Sequence, residues 1–132
     1  IDSLHKDDYI LAGVGSVNEN NKAALLSSYD IPEERRLITS PAKNIGLPIR
    51  KVNFEWNEAK SQVEAWTEID EDVLIRCGSE VNTLIANTRI LLLRSKRYDQ
   101  ESLKKILSRA GLDPLLLLTN DSRSNILALS RV

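Results

Sequence analysis

Apolar and polar positions alternate most plainly in the middle of the chain, where Val52, Phe54 and Trp56 are interleaved with Asn53 and Glu55. Such alternation places successive side chains on opposite faces of a strand. Asn57-Glu58-Ala59-Lys60 turns the chain, and Val63, Ala65 and Thr67 alternate back against Glu64, Trp66 and Glu68. This predicts a hairpin with one buried face and one wetter face, Trp66 lying on the wetter side. Trp56 and Trp66 sit on its two arms, close enough for cross-strand or same-face neighbours. Asp70-Glu71-Asp72 is a second polar turn and Val73 to Arg76 a third strand. Cys77 to Asn87 suits either a helical turn or an irregular strand, because Val81, Leu84 and Ile85 fit both.

The last third has the sharpest punctuation. Ile90-Leu91-Leu92-Leu93 reads as a strand, and Asp99 stands where a helix over Gln100 to Ala110 needs an N-cap. Glu101 favours the positive helix end. Leu103, Ile106 and Leu107 recur at helical spacing, so this stripe is expected to face the core while Lys104, Lys105 and Arg109 face water. Gly111 supplies the stop. Leu115 to Leu118 is expected to be a buried strand, Asn120 to Ser124 a turn, and Ile126 to Leu129 the returning strand.

Ahead of the hairpin the pattern is coarser. Ile1 to Asp8 is a polar lead-in, and Tyr9 to Val14 reads as a buried strand followed by Gly15 and Ser16. Asn20 to Tyr29 is a modest helix that Asp30 and Pro32 interrupt. Glu33 to Ile38 adds one or two helical turns, and Thr39 to Pro48, with two prolines and Gly46, reads as a loop. The chain thus divides into a strand-helix-loop lead-in over 1–48, a β meander over 49–98, and a helix with terminal hairpin over 99–132. Together they make one domain or half-domain of α/β type.

Composition narrows the functional classes. With 132 residues, 42% apolar and 28% charged, the chain has the makeup of a globular domain. A net charge of −1 gives no electrostatic reason to expect nucleic acid or anionic membrane as a partner. No apolar run approaches the roughly 20 residues that span a bilayer. Cys77 is the one cysteine, which favours a reducing, cytoplasmic setting and excludes an internal disulfide. The absence of methionine and the start at Ile1 point to a fragment, a processed chain or an engineered one.

Two groups of residues carry a family resemblance. The step Ala110-Gly111-Leu112 from helix into a closing antiparallel pair resembles the C-terminus of class I S-adenosylmethionine-dependent methyltransferases. Asn87-Thr88-Arg89-Ile90 followed by Ser95-Lys96-Arg97-Tyr98 is similar to the histidine-specific group, whose pattern is a Gly-Glu-Arg-Ile turn and strand, then Glu-x-Ser-x-Lys-Tyr. The resemblance implies the C-terminal half of a Rossmann-like domain, with a β meander and a closing strand-helix-strand-turn-strand unit. It implies the substrate-side half of an N-methyltransferase acting on an amino-acid-like substrate and inactive without a partner half. A non-catalytic interaction module built from the same fold is the alternative.

On the family pattern the substrate wall is Leu93, Ser95 and Tyr98, with Leu93 where the family has a glutamate. Leucine accepts no hydrogen bond, and an unpaired buried ring N–H costs about 1–3 kcal/mol, so an apolar or larger substrate, or none, fits better than imidazole. S-adenosylmethionine is the implied cofactor, bound by a part outside this chain. Gly13-Val14-Gly15-Ser16 is the one candidate cofactor loop, with Gly13 and Gly15 as its contacts and a strand-end turn as the plainer reading. His5 and Cys77 lack partners at metal-ligand spacing, so no metal site is expected. A chain that begins within a sheet would expose an edge at Tyr9 to Val14. A second chain or a second copy is therefore expected to cover that strand, or the Trp56 and Trp66 hairpin.

Overall fold

A computed structural model describes residues 4–18 and 20–132. The elements run β1 (Tyr9–Gly15), α1 (Lys22–Tyr29), α2 (Pro32–Asn44), β2 (Asn53–Asn57), β3 (Gln62–Glu68), β4 (Val73–Cys77), β5 (Glu80–Leu84), β6 (Arg89–Lys96), α3 (Gln100–Arg109), β7 (Asp113–Thr119) and β8 (Asn125–Arg131). Among the described residues this is a mixed α/β chain with three sheets, each containing antiparallel pairs. Contacts gather it into two units, Ile1–Leu25 with Lys96–Val132 and Leu26–Ser95.

In the first unit β8 lies between β1 and β7 and is antiparallel to both, so β1 and β7 run the same way. Helix α3 covers one face. Its Leu103 and Leu107 are buried with Ile126 and Ala128, and Val14, Tyr98, Leu112 and Leu117 pack against that cluster. Asp99 caps the helix by accepting the Ser102 backbone N–H at 2.7 Å, a bond that also holds its carboxyl below the usual aspartate range. Gly111, at φ +81°, ends the helix and lets the Leu112 N–H reach the Leu107 carbonyl at 3.0 Å.

Two expectations about burial fail here. Ile106 is 44% exposed. Residues four apart are about 40° from each other around a helix and residues one apart about 100°, so a narrow contact that takes Leu103 and Leu107 leaves Ile106 outside. Leu115 to Leu118 and Tyr9 to Val14 do form strands, but they are not buried on both faces. Leu115, Leu116 and Leu118 are about half exposed, and Tyr9 and Leu11 are 62% and 66% exposed. A single helix covers a single face, and both strands lie at the margins of a three-stranded sheet.

The second unit contains the β2-β3-β6 sheet, the β4-β5 hairpin and α2. The β2-β3 register pairs Phe54 with Ala65, Glu55 with Glu64 and Trp56 with Val63. Val63, Ala65 and Thr67 are buried, as the alternation requires. Ile38, Val52 and Ala65 form one core cluster and Ala42, Leu47 and Ile69 another.

Helix α2 overturns the loop expected over Thr39 to Pro48, because its helix continues through Asn44 with Pro41 inside. Pro41 removes only one late backbone donor. Against that loss, Ile38 and Ala42 are buried one turn apart, and the Thr39 hydroxyl donates to the Arg35 carbonyl at 2.9 Å. The ambiguous stretch after Cys77 is a strand, β5, reached through a turn at Gly78 with φ +63°. The Cys77 side chain, like residues 1–3 of the lead-in, lies outside the described residues.

Two details of the hairpin also differ from expectation. Trp66 is paired with Asn53 and Trp56 with Val63, so the tryptophans occupy opposite faces. The face expected to be wetter buries Gln62 and Glu64, at 7% and 3% exposure, because β3 is the middle strand.

Candidate functional site

Strand β6 carries two of the residues expected to form the substrate wall. Leu93 is partly buried and packs against the Ile38, Val52 and Ala65 cluster. Ser95 is half-buried, and its Oγ accepts a hydrogen bond from the Tyr29 hydroxyl at 2.6 Å. Tyr29 ends α1, where its ring packs on the same cluster and lies 6.2 Å from the Phe54 ring. The Arg35 guanidinium stands 5.4 Å from the Phe54 ring and donates to the Val52 carbonyl at 3.1 Å. The structure thus brings together Tyr29, Leu93 and Ser95. Two adjoining hydroxyls set in apolar surroundings can offer one donor and one acceptor to a polar group, while Leu93 offers only shape.

Tyr98 belongs to the first unit. Its backbone N–H donates to Gly15 and its carbonyl accepts from Val17, and its ring packs under α3. Tyr29 carries no signature in the sequence that marks it as part of a site. It is the last residue of a modest helix, and a phenol that meets a serine 66 positions away leaves no local pattern.

The same sheet holds a buried carboxylate. Glu64 accepts from Gln62 at 2.5 Å, Asn57 at 3.0 Å and Trp66 at 3.1 Å. The Gln62 hydrogen bond, outweighing desolvation and aided by Trp66 and Asn57, holds its carboxyl below the usual glutamate range. Arg89 stacks 4.4 Å from the Trp66 ring and pairs with Glu55 at 2.8 Å. With its acceptors engaged by protein donors, this network orders the sheet and presents no reactive group.

Gly13 and Gly15 lie within β1, and neither has positive φ. They help line a cleft of about 550 Å³ together with Leu118, Asn120 and Leu127. A Cβ on Gly15 would lie 2.7 Å from the Arg97 guanidinium carbon, so an arginine covers that glycine. His5 is exposed, and no group of three or more metal-ligating side chains occurs among the described residues.

A family model described as histidine-specific methyltransferase, SAM-dependent, matches residues 2–132. The chain belongs to this family. S-adenosylmethionine is accordingly the cofactor that membership of this family implies. Comparison with curated proteins finds no match. The residues present do not fit that cofactor at the expected place. A nucleotide cradle needs a glycine loop that brings backbone close to the ligand. Here Gly13-Val14-Gly15 is extended strand, Arg97 lies over Gly15, and the Ser16 N–H is spent on the Ser124 carbonyl at 2.8 Å.

Proposed function

We infer that this chain forms the substrate side of a S-adenosylmethionine-dependent N-methyltransferase of Rossmann-like type, completed by a cofactor-binding part outside these 132 residues. The Tyr29–Ser95 hydroxyl pair carries this reading, because Ser95 resembles the family's serine in its sequence pattern and is held in place by a second polar group. Its role is positioning: the pair anchors an amino-acid-like substrate while Leu93 and the apolar cluster select the ring. Leu93 at the family's glutamate position disfavours imidazole and favours a more apolar aromatic amino acid. The exposed β1 strand favours pairing with another chain or a second copy, and the single cysteine favours a cytoplasmic setting.

A second reading, a non-catalytic module derived from the same fold, draws support from the burial of Leu93 and the mutual engagement of Tyr29 and Ser95. Titration with tryptophan and with histidine, followed by amide shifts, separates the two. Tryptophan is expected to perturb Tyr29, Leu93 and Ser95, with the perturbation weakened in Tyr29→Phe and Ser95→Ala, and histidine to perturb them less. Silence from both amino acids would leave the non-catalytic module standing.

A further inference from the structure

We propose that a cleft on α2 in the second unit is a binding site for a small phosphorylated ligand. The cleft, of about 380 Å³, is lined by four cations, Arg35, Arg36, Lys43 and Arg50, with Ile49 and Val52 among its apolar lining. No carboxylate lines it. The chain as a whole carries a net charge of −1, so the cluster is not a consequence of a basic protein.

The four cations are not equivalent. Arg35 is bound by Asp30, and Arg50 pairs with Asp70 at 3.0 Å and Glu71 at 3.6 Å. Arg36 and Lys43 have no carboxylate partner among the described residues. They stand seven positions apart on α2, near two turns, and so project from one side of the helix toward the same opening. Arg35 meanwhile is fixed, through its bond to the Val52 carbonyl and its approach to the Phe54 ring.

The ligand's chemistry follows from this arrangement. One exposed ion pair adds little, so a monoanion gains too little to stay. A group with two or more negative charges meets both uncompensated cations together, and guanidinium forks match the oxygen geometry of phosphate. The volume suits a small molecule on an apolar floor. Neither Tyr29 nor Ser95 lines this cleft, and the proposal does not depend on the amino-acid reading.

Inorganic pyrophosphate is the probe, titrated into the 132-residue chain at low salt with amide shifts as readout. Shifts are expected at 32–43 and 49–52, with affinity falling as salt rises. Arg36→Gln and Lys43→Gln each remove an exposed cation without touching the core, and each should weaken binding at least fivefold. Lys104→Gln, on α3, should not. No shifts at millimolar pyrophosphate, or equal binding by all variants, would overturn the proposal.

Discussion

Glu64 shows what a single residue can hide from its sequence neighbours. As one polar letter in an alternating strand it reads as solvent-facing, yet it is 3% exposed and accepts from Asn57, Gln62 and Trp66. Those hydrogen bonds hold its carboxyl below the ordinary glutamate range, so the folded state binds the proton less well than the unfolded chain. The resulting stability is present above the unfolded value and lost as pH falls through the lower folded one. Urea melts of the native chain and Glu64→Gln should therefore differ at neutral pH and converge below about 4.5. A gap that persists unchanged through the acid range would contradict the ionised, hydrogen-bonded carboxylate. Ser95 makes the converse point. Its resemblance to the family's serine is a matter of local pattern, but its Tyr29 partner is not, because the two meet only once the second unit has folded.

Among the elements, α3 was read most completely, because cap, stripe and stop are local signals. Asp99→Ala should cost about 0.5–2 kcal/mol through loss of the Ser102 N–H acceptor. Leu107→Ala should cost about 2–5 kcal/mol by opening a cavity under the helix. Ile106→Ala should cost much less than Leu107→Ala, because Ile106 is already 44% exposed. Equal losses at 106 and 107 in denaturant melts would reverse the assigned helix face. Helix α2 was read least well past Thr39. Proline and glycine signal a loop locally, while burial of Ile38 and Ala42 one turn apart acts through residues elsewhere in the unit.

For the whole molecule, the face of the β1-β8-β7 sheet away from α3 is the largest apolar feature left exposed in the first unit. Tyr9, Leu11, Leu116, Leu118 and Leu127 share that face by register and are each 42% or more exposed. Among the described residues no strand pairs with β1 on the side away from β8. Apolar patches on soluble monomers seldom exceed a few hundred Å², and unpaired strand edges invite pairing. Sedimentation at micromolar concentration is expected to show a species heavier than the 14.8 kDa chain. Leu11→Lys should shift it toward monomer. A native chain that sediments as a monomer would remove the proposed pairing through β1.

The amino-acid order alone determined the strands and helices whose signals are local: alternation in β2 and β3, the Asp99 cap, the Gly111 stop and the polar turn before β8. It also carried the family, through Ala110-Gly111-Leu112 and the Ser95 to Tyr98 pattern. Tertiary structure decided which faces are covered, that the tryptophans oppose each other across the sheet, and that Tyr29 meets Ser95. The physical reason is range. Backbone hydrogen bonding and capping act within a few residues, whereas burial depends on partners brought together from distant segments, as residues 1–25 and 96–132 are in one unit.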